Sequence, residues 1–309
     1  MSWDVVVTAK DTREAISLFV RRYKAMGAAR IFLFYDDPDH VHLFDDDAVE
    51  ITVCDADYWA GSRPEGLELR QKWNATQARA RAASDWIFSC DIDEHLWSET
   101  PVADLLAALP AQVLSVSVPP IEAVYDRPPL SETDIIATPW FKTQERDPDT
   151  RTAFWADKLG DLAGMSNAGY WGHTHGKSFT RVHGTPELPE MPLHNHSGRG
   201  PFAPVKVPGL LLRHYDCRVL DSWHRKHVGR IDGTVKTPRM GRERRQIARL
   251  VRNAFAADGA AGLQVIYERM FCLDPATLQQ AEDAGMIRRF PPEEAGACRP
   301  LGAAGPSRP

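Results

Sequence analysis

Asp91, Asp93 and Glu94 stand in the stretch WIFSCDIDEHLW at 86–97, where an apolar run delivers carboxylates to its carboxyl end. If Trp86–Cys90 is a buried strand carried on through the acids, residues two apart point the same way, so Asp91 and Asp93 face one side. Two carboxylates so placed suit Mn²⁺ or Mg²⁺, a hard cation that takes one or two protein carboxylates and completes its shell with substrate phosphates. Such an ion serves as Lewis acid and template while a diphosphate departs. A D-x-D string by itself is common, and the same acids would also serve as a solvated helix cap. Their place after an apolar strand is what gives the motif weight.

The elements around it follow from periodicity. Trp3–Thr8, Arg30–Tyr35, Glu50–Val53 and Trp86–Cys90 are short apolar runs that predict buried strands. Between them, Asp11 with Glu14 offers a capping-box start for a helix carrying Ile16, Phe19, Val20 and Tyr23, and Glu65–Ala83 predicts a longer helix. Strands alternating with helices predict an α/β fold with a mostly parallel sheet flanked by helices. Ligands of such sheets lie beyond the carboxyl ends of the strands. That edge would carry Lys10-Asp11, Asp36-Asp37, Asp55 and Asp91–Glu94. Further strands are expected at Val113–Val118, Lys177–Val182 and Gly209–His214, and helices at Ser222–Val228 and Arg242–Ala257. Residues 126–175, rich in Pro, Asp, Thr and Trp, read as loop-heavy and suited to an acceptor. The expected organisation is one domain over 1–230, a helical C-terminal extension over 231–290 and a disordered tail over 291–309.

Composition narrows the classes. The 309 residues are 43% hydrophobic, which excludes global disorder, and the net charge of -5 gives no footprint for nucleic acid. Lys and Arg do crowd from Arg225 to Arg252, as either a solvated helix face or a patch facing phosphates or a membrane. Cys54, Cys90, Cys217, Cys272 and Cys298 are five, widely spaced and without a C-x-x-C, which argues against a disulfide framework or a cysteine zinc site. No signal peptide and no membrane span are legible, so a cytoplasmic protein is expected, with peripheral membrane association left open.

Taken in order, FVRRYKAMGAARIFLFYDD at 19–37, NATQARARAASDWIFSCDIDEHLW at 74–97, GKSFTRV at 176–182, LHNH at 193–196 and LLLRHYDCRVLDSWHRKHVGR at 211–230 resemble the glycosyltransferase family 2-like proteins. The branch is the one related to glycosyltransferase family 92, and the resemblance spans roughly 3–230. It implies a GT-A, Rossmann-like fold, a nucleotide-diphosphate sugar donor such as a UDP-sugar, a divalent cation, a glycan or other hydroxyl acceptor, and inversion at the anomeric carbon. By position, Asp91 and Asp93 match the family's metal motif. Asp36 and Asp37 stand where the nucleoside is met, Lys177 and Arg181 match a K-S-x-x-R segment, His214-Tyr215 an H-Y segment, and Lys226 the lysine that follows it. Relatives read N-E after the first strand, where this chain has Lys10-Asp11.

Chemistry can be assigned beside that likeness. Lys177, Arg181 and Lys226 suit a diphosphate, Arg as a bidentate fork and Lys as a point charge, though each is also readable as a surface charge. His214, after Leu210–Leu212, is a candidate third metal ligand or a structural histidine. Glu122, beyond the Val113–Val118 strand and Pro119-Pro120, is the candidate base for an acceptor hydroxyl, with a salt-bridged glutamate as the other reading and Asp126 and Asp157 as substitutes. The pairs His173/His175 and His194/His196 admit a zinc hydrolase instead, although no H-E-x-x-H is present. Trp73, Trp86, Trp97, Trp140, Trp155 and Trp171 are core residues or sugar-stacking platforms. A catalytically silent binding protein on the same fold is the third reading.

Overall fold

The computed structural model describes residues 1–216, 219–233 and 242–293, the side chain of Arg244 apart. In chain order the elements are β1 (Trp3–Ala9), α1 (Arg13–Ala25), β2 (Arg30–Tyr35), β3 (Val49–Val53), α2 (Ala56–Trp59), α3 (Leu67–Arg81), β4 (Trp86–Ser89), β5 (Glu94–Trp97), α4 (Val102–Ala107), β6 (Ser115–Val118) and β7 (Pro120–Ala123). There follow α5 (Glu132–Ala137), β8 (Trp140–Lys142), α6 (Pro148–Leu159), β9 (Lys177–Arg181), β10 (Val205–Lys206), β11 (Leu211–His214), α7 (Leu220–Asp232), α8 (Arg242–Phe271), α9 (Pro275–Asp283) and β12 (Ile287–Arg289). Short 3₁₀ turns stand at Pro38–His40 and Gly160–Met165. The described chain divides into two compact units: Met1–Pro119 with Gly176–Leu212, and Pro120–His175 with Arg213–Glu293. The boundary expected at 230 therefore falls inside α7.

The first unit is α/β. Its sheet runs β10–β6–β9–β4–β1–β2–β3. β1 pairs in parallel with β2 and β4, β2 with β3, and β10 with β6, whereas β9 runs antiparallel between β4 and β6. Burial on both faces explains why these strands read as continuous apolar runs. Val5, Val7, Leu33 and Phe88 join Ile16, Phe19, Val20 and Tyr23 of α1 on one side. Val6, Phe32, Phe34 and Ile87 meet Ala75 and Ala78 of α3 on the other. The registers Ala9↔Tyr35 and Tyr35↔Val53 bring the carboxyl ends of β1, β2 and β3 level. The cap of α1 is Thr12, whose side chain accepts from Ala15 N, in place of the expected Asp11, which instead accepts from Thr12 N at 2.7 Å. Thr12 has the extended backbone an N-cap requires.

In the second unit, β12, β8 and β7 lie in that order, paired antiparallel. The segment expected to be loop-heavy carries α5, β8, α6 and a 3₁₀ turn, and the expected helical extension ends in a strand. Pro291–Glu293, expected to begin a loose tail, is tied down: Arg213 Nη2 donates to Pro291 O at 2.8 Å, and Glu293 N to Ile136 O at 3.1 Å. Residues 294–309, like Cys217 and the 234–241 part of the basic run, lie outside the described residues. Cys54, Cys90 and Cys272 are free thiols.

A tight turn, Asn167 to Tyr170, holds Ala168 at φ 49° and Gly169 at φ 92°, the two left-handed positions of a type I′ turn. Gly169 also lies so close to Trp155 that a Cβ there would meet Trp155 Cδ1 at 2.2 Å. Both the backbone and the clash oppose a side chain. Gly169→Ala is expected to cost about 2–4 kcal/mol of stability, read as a lower urea midpoint at unchanged slope; a midpoint equal to wild type would contradict this packing.

Candidate functional site

The parallel strands of the first unit place Lys10-Asp11, Asp36-Asp37, Cys54-Asp55 and Asp91–Glu94 along one sheet edge. The strand expected to run through the acids ends at Ser89, and Asp91–Glu94 is a turn closed by Glu94 N donating to Asp91 O at 3.1 Å. The two-residue alternation therefore does not orient Asp91 and Asp93; the turn does. Asp91 N donates to Glu94 Oε2 at 2.8 Å, and the two carboxylates approach within 4.8 Å. Tyr23 OH donates to Glu94 O, which fastens the turn to α1.

Because β9 runs antiparallel, its first residue, Lys177, arrives at this edge. The side chain is buried, with Nζ 2.9 Å from Asp91 Oδ2, 3.4 Å from Glu94 Oε2 and 3.1 Å from Leu193 O. Burial pulls the lysine down, but Asp91 and Glu94 outweigh it and hold the ammonium well above the ordinary lysine range. Gln71 Nε2 donates to Asp91 Oδ1 from α3. Asp93, at the turn's corner, is partly exposed. Arg181 is at the other end of β9, opposite Trp86 in the ladder, where Nε donates to Val113 O and the guanidinium covers the Trp86 ring at 4.4 Å. Four residues of strand, roughly 13 Å, separate it from Lys177, so the sheet does not gather these two expected cations.

Asp36 is buried and clamped: Arg70 donates to both its oxygens from Nε and Nη2, and Arg63 Nη2 donates at 2.8 Å. Asp37, more exposed, lies 3.6 Å from Lys10 Nζ and 3.2 Å from His40 Nδ1. Burial raises its carboxyl, yet the His40 hydrogen bond and Lys10 bring it below the usual range. Behind Asp36, Asn74 is fully buried, accepting from Tyr58 OH at 2.7 Å and donating to Thr8 Oγ1 at 2.9 Å. Arg63, Arg70 and Gln71 carry no motif, and Asn74 stands at the start of the 74–97 segment with no role of its own assigned; only the spacing of Arg70, Gln71 and Asn74 on one helix hints that they reach the same edge.

The second unit holds Glu122, His214 and Lys226. Glu122 is in β7, 1% exposed, and accepts from Lys142 Nζ at 2.8 Å, from Trp171 N at 3.0 and 2.9 Å and from Gly172 N at 2.7 Å. The expectation of a glutamate presented beyond a strand end does not match this environment, since the β7 backbone turns the side chain into the core. Lys142, which the sequence reading did not single out, also donates to Gly169 O at 2.7 Å and lies over the rings of Trp155 and Trp171. His214 ends β11, with its ring stacked on His173 at 5.8 Å. A Cβ on Gly172 would meet His214 Cε1 at 2.5 Å and Glu122 Oε2 at 3.4 Å, so that glycine is what lets both side chains close on it. Asp216 and His214 each bring a ligand atom within 4.8 Å of the other. Lys226 is exposed on α7, bordering a cavity of about 130 Å³ with Trp223, His227 and Arg230. Asp126 and Asp157 are exposed, the latter paired with Lys158 at 2.8 Å.

The histidine pairs do not assemble a zinc site: among the described residues no candidate metal-holding group contains two histidines. His196 is buried, bonded to Thr180 Oγ1 at 2.8 Å and stacked on Phe202. Trp86 and Trp155 are core residues, while Trp73 is half exposed on α3.

No family model and no curated protein matches the chain. Among solved structures it is similar to HddC from Yersinia pseudotuberculosis, at 12% identity and a TM-score of 0.27, over 43% of this chain and 65% of that one. A TM-score of that size defines no shared fold.

Two measurements check these environments. Glu122→Gln leaves the Lys142 ammonium buried without its counter-charge and is expected to cost about 3–5 kcal/mol; an unchanged melting temperature would exclude the pair. His196 is held at about 4 by burial first and the charge of Arg79 second, against 6.5 when unfolded. The unfolded chain thus binds the proton first as pH falls. Stability is complete above about pH 6.5 and declines between there and pH 4, by up to about 3 kcal/mol from this residue. His196→Gln should flatten the slope of unfolding free energy between about pH 6.5 and 5.

Proposed function

We propose that the chain is a glycosyltransferase of the GT-A type, related to the family 2-like proteins, moving a sugar from a nucleotide-diphosphate donor to a hydroxyl acceptor with inversion. The observation that carries this reading is the Asp91–Glu94 turn at the carboxyl edge of a mostly parallel sheet, with Lys177 seated beside it. The donor set fits a hard cation: the oxygens are carboxylates, and Asp91 and Glu94 already accommodate a positive charge in the Lys177 ammonium. Asp91 and Asp93 would hold Mn²⁺ or Mg²⁺. When bound, that ion would supply Lewis-acid charge neutralisation to the departing diphosphate.

The chain's own residues do the remainder. Lys177 keeps Asp91 in place and adds fixed positive charge at the edge where the diphosphate's negative charge grows, in surroundings that need no reorganisation. Asp37, more exposed than the clamped Asp36, is the carboxylate presented to a nucleoside, and Arg63 and Arg70 hold the segment that carries it. Glu122 positions the Trp171–Gly172 backbone; its oxygens are committed to Lys142 and two amide N–H groups, so another group takes the acceptor's proton.

The test is thermal denaturation with UDP, GDP, CDP and dTDP, each with and without Mn²⁺. One nucleotide should raise the melting temperature only with the metal, since about a hundredfold excess over Kd adds about 2.7 kcal/mol to the folded state. Asp93→Asn, at a partly exposed position, should melt like wild type without ligand and lose both that shift and donor turnover. A folded sample that responds to none of the four would overturn the reading, and a shift without turnover on any sugar donor would favour a silent binding protein.

A further inference from the structure

Arg242, Arg245, Arg249 and Arg252 recur along α8 at spacings of three, four and three, all exposed. At roughly 100° per residue these positions share one face. Ile247 and Val251, both buried, occupy the opposite face, so packing against the second unit fixes the arginine row outward. Glu243 and Asp258, the carboxylates of the stretch before the break at Gly259, fall on the far side of the helix from the row. Ten residues at about 1.5 Å each make the row about 15 Å long. Among the described residues, Arg242, Arg249 and Arg252 take part in no ion pair or hydrogen bond.

An arginine that serves the fold is ordinarily matched by a carboxylate or a carbonyl, as Arg63, Arg70 and Arg213 are here. Arg242, Arg249 and Arg252, exposed in one row with no acid of α8 on their face, instead make a strip of positive charge on a chain whose net charge is -5. We infer that this face of α8 docks on an anionic lipid surface. On a chain of net negative charge, a row of like cations on one face favours an orientation that turns this face to such a surface. Nucleic acid is the poorer match, because the residues beside the arginines on this face (Gln246 and Ala248 within the row, Asn253 and Ala256 just beyond it) include no aromatic ring to stack on a base. No helix among the described residues is long and apolar enough to cross a membrane. Attachment by this face is therefore electrostatic and reversible, and it stands apart from the sugar-transfer reading.

The experiment is sedimentation of the full chain with phosphatidylcholine vesicles containing about 30% phosphatidylserine, against phosphatidylcholine alone and against a single-stranded oligonucleotide in solution. Binding is expected to the anionic vesicles only, weakening as salt rises from about 50 to about 500 mM. Each basic residue near such a surface contributes about 1 kcal/mol, so Arg242→Gln, Arg249→Gln and Arg252→Gln together should lower partitioning about a hundredfold. Gln has nearly the helix propensity of Arg, so the far-ultraviolet spectrum and melting temperature should stay as in wild type. The matching triple change to Lys should keep binding. Indifference to the anionic vesicles, equal binding to both vesicle types, a triple Gln variant that binds as well as wild type, or preference for the oligonucleotide would each overturn the inference.

Discussion

Removing a lysine ammonium from water is costly enough that the surrounding chain must bring oxygen atoms to it, and among the described residues this happens once in each unit. In the first, Lys177 requires that the start of β9, the Asp91–Glu94 turn and the carbonyl of Leu193 come together. Those three pieces are distant in sequence, and their meeting inserts β9 between β4 and β6. In the second, Lys142 draws in Glu122 and the carbonyl of Gly169, and Glu122 in turn captures the Trp171 and Gly172 amides. Breaking a buried pair of this kind is far more damaging than never having built it. The geometry around each lysine is consequently among the most constrained in its unit.

That constraint shapes the acidic edge. Asp36, Asp91 and Glu94 are each fixed by donors from α3, β9 or the preceding loop, so their charges are set before any ligand arrives. Asp37 and Asp93 lie at turn corners and are partly exposed, as is Asp91, whereas Asp36 and Glu94 are buried. An edge made of held carboxylates beside accessible ones is preorganised and still able to take a ligand, a combination that favours electrostatic stabilisation over induced rearrangement.

Much of the first unit was legible because its strands are buried on both faces and read as unbroken apolar runs; β2 has the limits read from RIFLFY. The edge that collects Asp36, Asp55 and Asp91 follows from the same pattern. Direction was not legible. Nothing local in GKSFTRV says that β9 runs antiparallel, and direction decides that Lys177 rather than Arg181 reaches the acidic edge. Polar composition misled over 126–175 because its Ser, Asp and Pro are helix starts: Ser131 caps α5, and Asp147 followed by Pro148 caps α6. Partners of buried charges, such as Lys142 for Glu122 and Arg70 for Asp36, depend on long-range contacts that no window of sequence contains.

The chain crosses between its units near residues 119, 175 and 212, so neither is a continuous stretch of polypeptide. A ribosome releasing this chain completes β4 long before β9, which must slide in beside it, has been synthesised. Until about residue 181 has emerged, β4 carries an unsatisfied edge and Asp91 and Glu94 lack their ammonium. Contacts of such separation slow folding and leave a nascent strand open to wrong partners. The cell that makes this protein therefore meets its vulnerable form during translation, while the sheet waits for its antiparallel member.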